Sequence, residues 1–214
     1  MTRPVFRVAA LLAAAAVTGC AASSSGGAQA GPCTVTDKLH GATPNPPSAK
    51  PNFTLTDTAG SPYRLAAETD GKVTLLYFGY THCPDECPTS MADVASALRR
   101  LPADVADEVS VVFVTTDPKR DRPQVLRTWL ERFDPDFVGL TGTPQELAGA
   151  EVGTGLPISQ REAGTKGEGA GRYSVAHFAA VLTYDRDGRL VTLYPAGVTP
   201  TDIAADLRLL VKGC

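Results

Sequence analysis

Two stretches of this chain, KVTLLYFGY (72–80) and VSVVFVTTD (109–117), are apolar over nearly their whole length and do not alternate. A strand with one wet face alternates with a period of two, so a run that fails to alternate must be covered on both faces. Between them Met91, Val94, Leu98 and Leu101 recur at helical spacing behind Pro88, a residue suited to the opening of a helix. Buried strand, amphipathic helix, buried strand is a crossover unit, which places the two strands side by side in a sheet with helices packed against it.

The flanking segments extend this unit. FTLTDTAGSPYRL (53–65) alternates about Ala59-Gly60-Ser61-Pro62 and reads as a β-hairpin. PQVLRTWLERF (123–133) sets Val125, Leu126, Trp129, Leu130 and Phe133 at helical spacing, which makes Trp129 a core residue. FVGLTG (137–142) is a short third strand, and Thr143-Pro144-Gln145-Glu146 has the capping pattern of a helix start. Residues 153–172 contain six glycines and scattered charge, and predict a loose segment. HFAAVLTYD and RLVTLYP, joined at Arg186-Asp187-Gly188, form an antiparallel hairpin, and Thr199-Pro200-Thr201-Asp202 opens a last helix to about Lys212. The order is a βαβ half followed by a ββα half. That is the arrangement of an α/β thioredoxin-like fold, with a central mixed β-sheet flanked by helices and an extra hairpin at its N-terminal side.

The first fifty residues are of another kind. Arg3 and Arg7 precede an apolar run from Val8 to Val17, too short to span a bilayer, and Val17-Thr18-Gly19-Cys20 resembles a bacterial lipobox. The expectation is a lipoprotein signal peptide over 1–19, lipidation at Cys20, and a chain anchored to the outer face of the cell membrane. Residues 20–50, rich in Ala, Ser, Gly and Pro, read as a flexible membrane tether in which His40 is simply solvated, and the globular domain is expected over 51–214. Loss of the leader leaves 18 Lys and Arg against 23 Asp and Glu, with no basic stripe, so nucleic acid is not an expected partner. Of five cysteines, Cys33, Cys83, Cys87 and Cys214 remain once Cys20 is assigned to a lipid. Four cysteines allow three pairings; Cys33 and Cys214 flank the domain and are expected to form a structural disulfide.

GYTHCPDECPTS (79–90) holds the remaining pair, at the end of the first buried strand and the start of a helix. A local disulfide there would remove little chain entropy. Helix N-termini favour thiolates, which suits a redox pair, but redox pairs of this fold are spaced CxxC, and Asp85-Glu86 works against two free thiolates. A cation between the sulfurs would reverse that penalty. The third ligand is sought in His177, which opens the fourth long strand at the place that faces the cysteine pair in thioredoxin-like folds. His82 adjoins Cys83, but neighbours in a turn usually point apart. Two thiolates and an imidazole suit copper, while zinc with an added water is compatible with the same set.

The segments Tyr77 to Pro88, Asp117-Pro118-Lys119-Arg120-Asp121-Arg122-Pro123, FDPDFVGLTGTPQEL (133–147) and Tyr173-Ser174-Val175-Ala176-His177 together resemble the Sco/SenC family of copper-binding thioredoxin-like proteins over roughly residues 51–212. The resemblance implies that Cys83, Cys87 and His177 bind one copper ion, Cu(I) or Cu(II), per chain. It also implies a metallochaperone that assists assembly of the dinuclear copper centre of cytochrome c oxidase, with the copper-bearing oxidase subunit and other extracytoplasmic copper carriers as partners. Asp117 is a candidate for the polar shell around the site. The family pattern has an acidic residue before the histidine and a small polar one after it; Ala176 and Phe178 stand here, which predicts a thinner shell. The chain is expected to be a monomer. The competing function is a thiol–disulfide oxidoreductase that reduces the oxidase cysteines, which would need the two sulfurs but not His177. A peroxiredoxin-like peroxidase fits poorly, because the cysteines are paired.

Overall fold

The computed structural model describes residues 39–45, 48–163 and 173–213. Cys20, Cys33 and Cys214, with the signal segment and most of the tether, lie outside the described residues. Seven strands form one sheet: β1 (Thr54–Asp57), β2 (Pro62–Arg64), β3 (Val73–Gly79), β4 (Val109–Thr115), β5 (Val138–Thr141), β8 (Ala180–Tyr184) and β9 (Leu190–Pro195), in the order β2-β1-β5-β4-β3-β8-β9. β3 runs parallel to β4 and β4 to β5, while β8 is antiparallel to both β3 and β9. The sheet is therefore mixed, as the sequence predicts, and the β1–β2 hairpin extends it beyond β5.

The absence of alternation in β3 and β4 has a direct cause. Val73, Leu75, Tyr77 and Phe113 share one core with Met91 and Val94 of α2 (Glu86–Leu98), Leu126 and Leu130 of α4 (Pro123–Leu130), and Leu207 of α6 (Pro200–Lys212). Leu76, Phe78, Val112 and Val114 point the other way, into a second core with Leu65 of α1 (Leu65–Glu68) and with Leu147 and Ala150 of α5 (Pro144–Gly153). Trp129 lies in the first core against Phe113 and Phe133, with ring centroids 5.1 and 4.8 Å away.

Several boundaries differ from the sequence reading. α2 starts at Glu86, with Asp85 as its N-cap residue, so Cys87 lies inside the first turn and Pro88 beside it, where a proline's missing N–H leaves no intrahelical bond unmade. α1 and α3 (Ala103–Ala106) are single turns, too short to register as a period. Within the stretch expected to be loose, β6 (Gln160–Ala163) pairs with β7 (Tyr173–Ala176). β6 reads QREA, and so carries no apolar signal.

The tether is the larger correction. The sequence predicts a flexible segment through residue 50; instead Ala42 bridges Leu193 and Ala49 bridges Arg189, laying this arm along the open edge of β9. Ala42 N–H donates to Leu193 O at 2.8 Å and Leu193 N–H returns the bond at 2.9 Å. The arm covers backbone groups that an edge strand would leave open to pairing with another chain. His40, expected to be solvated, is held by Asp206: Nδ1 lies 2.6 Å from Oδ1, and the backbone N–H donates to Oδ2 at 2.9 Å.

Candidate metal centre

The site forms where β3 ends and α2 begins. Gly79 closes β3, and a methyl group built on it would lie 2.7 Å from the Tyr77 ring and 2.8 Å from Cys87 Sγ. Real Cβ atoms do not approach so closely, so only glycine lets the Cys87 sulfur settle against the strand. The chain then turns, Cys83 N–H donating to Tyr80 O at 3.1 Å, and re-enters at the first turn of α2. Cys87 N–H points at Cys83 Sγ, 3.4 Å away.

β7 ends one residue before His177, and this delivers the imidazole. Nε2 lies 3.4 Å from Cys87 Sγ and 4.0 Å from Cys83 Sγ, and all three donor atoms fall within 4.8 Å of one another. Among the described residues this is the one group of three such ligands. The spacing fits a metal: bonds of about 2.3 Å to sulfur and about 2.0 Å to nitrogen, meeting at 120°, separate S from N by about 3.7 Å. The edges of Tyr77 and Tyr80 wall the imidazole, at centroid distances of 6.0 and 5.6 Å. Burial, then the charge of the neighbouring sulfur, pushes the Tyr77 phenol far above the usual tyrosine range, so it stands as a neutral wall and not as an anionic ligand.

The two thiols are unequal. The hydrogen bond from Cys87 lowers the Cys83 pKa strongly, opposed by burial and reinforced by His177 and by the backbone N–H groups of Cys87 and Asp85. The same bond, with burial, pushes Cys87 up. Local donors thus favour one thiolate, at Cys83, and leave Cys87 protonated, so the pair does not carry the two free thiolates that Asp85-Glu86 works against. At His177 burial works against the charged ring, but hydrogen bonding to Cys83, the Phe178 backbone and the charges of Cys83 and Glu86 together hold its pKa above the ordinary value. Nδ1, on the far side of the ring, is buried and meets no acceptor at hydrogen-bond geometry among the described residues, so the Phe178 backbone is at most a weak partner for the ring. A ligating imidazole usually has an acceptor there. Ala176 and Phe178 supply none from their side chains, in keeping with the thin shell the sequence predicts.

Asp117 does not touch the three donors. Fully buried at the end of β4, it accepts from Tyr173 O–H at 2.8 Å and pairs with Arg120 and, at 3.4 Å, with Arg161. Arg120 stacks 3.7 Å above the Tyr173 ring and reaches Tyr80 at 5.5 Å. The group pins β7, and with it the approach to His177, to the rest of the domain. Asp121 was not singled out by the sequence reading. It is fully buried, takes Thr81 N–H at 2.9 Å, Thr81 O–H at 2.6 Å and Thr115 O–H at 2.7 Å, and so fastens the cysteine loop to β4. Its one signal is its place four residues after Asp117, in the turn leaving a buried strand. His82 is exposed and outside the donor cluster.

The model of the SCO1/SenC family matches residues 41–212. The chain belongs to the SCO1/SenC family. The match begins inside the arm that caps β9, so the arm is part of the family domain. A SCO2 homolog of Mus musculus is 33% identical over 158 residues, covering 73% of this chain and 60% of that protein, so the alignment leaves much of the relative's length unmatched. A Stutzerimonas stutzeri protein named for copper binding is 35% identical over 143 residues, covering 66% of this chain and 67% of its own. Among solved structures, Bradyrhizobium japonicum ScoI with copper bound superposes with a TM-score of 0.65 at 36% identity, over 76% of this chain and 99% of that one. Yeast Sco1 with copper bound gives 0.68 at 28% identity, over 78% and 90%. These likenesses show the thioredoxin-like fold as well as the family.

Proposed function

We propose that this chain binds one copper ion through Cys83, Cys87 and His177 and passes it on as a metallochaperone, in service of the dinuclear copper centre of cytochrome c oxidase. The observation that carries the reading is the convergence of two sulfurs and Nε2 within 4.8 Å, in a chain whose family relatives include two solved with copper bound. Soft thiolates with one imidazole hold Cu(I) in a trigonal set and also accept Cu(II). Cys83 is half-buried while Cys87 is fully buried, which gives copper an outer and an inner cysteine. The membrane attachment belongs to the same reading: lipidation at Cys20 keeps the domain at the outer face of the membrane, and a Cys33–Cys214 disulfide closes it. The mass of the intact, unreduced mature chain reports both modifications.

Titrating the reduced chain with Cu²⁺ is expected to give Cu(II)–thiolate charge-transfer bands that saturate at one ion per chain. His177→Ala is expected to shift those bands and weaken binding; unchanged bands and affinity would remove His177 from the ligand set. A second reading, thiol–disulfide exchange, is favoured by the opposed shifts of Cys83 and Cys87, a ready thiolate beside a protonated partner. It is separated from copper carriage by His177→Ala, which would leave reduction of a disulfide-bonded peptide to its dithiol intact, with Cys83 and Cys87 oxidised to a disulfide in exchange.

A further inference from the structure

We propose that His82 is the first ligand met by incoming copper, an entry group that holds the ion at the surface before it drops onto Cys83, Cys87 and His177. The inference rests on the copper-binding reading above. Its starting point is that His82 is exposed, 52% of its side chain open to solvent, and precedes half-buried Cys83 directly in the chain. Cys87, by contrast, is fully buried. Cys83 and His177 are both part-exposed, so an ion from solvent can reach the site on either side, and His82 flanks the Cys83 side.

An exposed imidazole with no task would turn freely. This one is held, and the hydrogens can be counted. Asp121 is fully buried and accepts in each of its three hydrogen bonds, from Thr81 N–H, Thr81 O–H and Thr115 O–H. The Thr81 hydroxyl lies 2.6 Å from Asp121 Oδ1 and has a single hydrogen, which that contact takes. The same hydroxyl oxygen lies 3.0 Å from His82 Nδ1. With its hydrogen already committed, Thr81 Oγ1 can only accept there, so Nδ1 must carry the proton. Asp121 Oδ1, 3.7 Å from Nδ1, favours the same tautomer. In neutral His82 the bare lone pair is then on Nε2. This is the arrangement that orients metal-ligating imidazoles: one nitrogen donates to a carboxylate or to a group bonded to one, and the other is free for the ion. Thr81 N–H and Thr115 O–H hold the other carboxylate oxygen, at 2.9 and 2.7 Å, so the anchor is fixed to β4.

His82 is absent from the cluster of three that closes around the final position, and so it acts on the path and not on the end state. In the transfer the copper–Nε2 bond breaks as copper–sulfur bonds form. The thiol proton leaves to solvent, and copper keeps its oxidation state. A group that lies only on the path speeds loading and unloading alike.

Stopped-flow mixing of the reduced full chain with Cu²⁺, followed by the growth of the thiolate bands, tests this. His82→Ala is expected to slow loading by about tenfold, the scale on which ordered groups around a metal act, with the final bands and affinity unchanged. Thr81→Val, which removes the acceptor for Nδ1–H, is expected to slow loading in the same direction. Long-range proton–nitrogen correlation in the metal-free chain is expected to show the Nδ1–H tautomer at His82. Equal loading rates for His82→Ala and the parent chain overturn the entry role. So does a weakened final affinity, which would make His82 a resident ligand, and so does an Nε2–H tautomer. Failure of the parent chain itself to form thiolate bands would instead overturn the copper-binding reading.

Discussion

At the scale of single residues, the site depends as much on an absent side chain as on those present. Gly79 has ordinary backbone angles, so its necessity is steric: the added methyl of Gly79→Ala would press on the Tyr77 ring and on Cys87 Sγ at under 3 Å, with Phe113 behind at 3.1 Å. Every neighbour is fully buried, and none can give way without moving the inner sulfur. Overpacking of this kind costs about 1–3 kcal/mol. Gly79→Ala is therefore expected to lower the stability of the reduced, metal-free chain by that amount in denaturant unfolding, and also to shift the Cu(II)–thiolate bands. A variant with unchanged bands would show that the sulfur is not held where the strand places it. The three donors were legible in the sequence because their chemistry is specific and their spacing local, apart from His177, which needed the fold to be inferred first. Asp121 was not legible. Acidic residues in turns usually face water, and only the structure shows this one sealed under Thr81 and Thr115.

At the scale of elements, the difficulty is to bring β7, ninety residues downstream, against the start of α2. Among the described residues no ladder joins β7 to the main sheet; its strand partner is β6. What ties it down is the buried carboxylate of Asp117, with Tyr173 at the head of β7 and Arg120 bonded to both Asp117 and Tyr173 O, the latter at 3.1 Å. Tyr173→Phe keeps the ring under the guanidinium but removes the O–H donor to a buried charge, a class of bond worth about 1.5–3 kcal/mol. The expected result is faster amide exchange through Ser174–His177 and weaker copper binding, with exchange in β3 and β4 unchanged. Uniformly faster exchange across the domain would mean that Tyr173 supports the whole fold and not this one strand. The sequence reading recovered elements that carry a period or a cap, such as β3, β4, and the helices opened by Thr143 and Thr199, both of which accept from the N–H three residues on. It missed β6, β7, α1 and α3, where polar composition, a run of four residues or a single turn leaves nothing periodic to see, and it started at His177 a strand that begins at Ala180.

At the scale of the whole molecule, a linker-like composition concealed the arm described over 39–45 and 48–50. Alanine, proline and glycine look like a spacer, yet an arm that caps a sheet edge needs only backbone groups and small side chains, and so carries no pattern. It is fastened at both ends. Lys50 Nζ donates to Thr69 O and Oγ1, both at 2.8 Å, and His40 sits on Asp206, a residue of α6 that is 1% exposed and also accepts from Tyr194 O–H at 3.1 Å. The hydrogen bond to Asp206, then its charge, raises the His40 pKa, with a smaller contribution from Asp202 and against a small cost of burial. A histidine whose pKa is higher folded than unfolded stabilises the fold fully below the unfolded value and loses that contribution as pH rises through the folded one. His40→Gln is therefore expected to lower the melting temperature more at about pH 5.5, below the ordinary histidine pKa, than at about pH 9, well above it. The backbone N–H bond of residue 40 to Asp206 and the Tyr194 bond persist across that range, so the arm loosens on the alkaline side without detaching. Thermal melts of the two chains at a series of pH values check this. Parallel curves, with the same difference in melting temperature at every pH, would show that the His40–Asp206 contact holds the arm as a neutral hydrogen bond and that its charge contributes nothing.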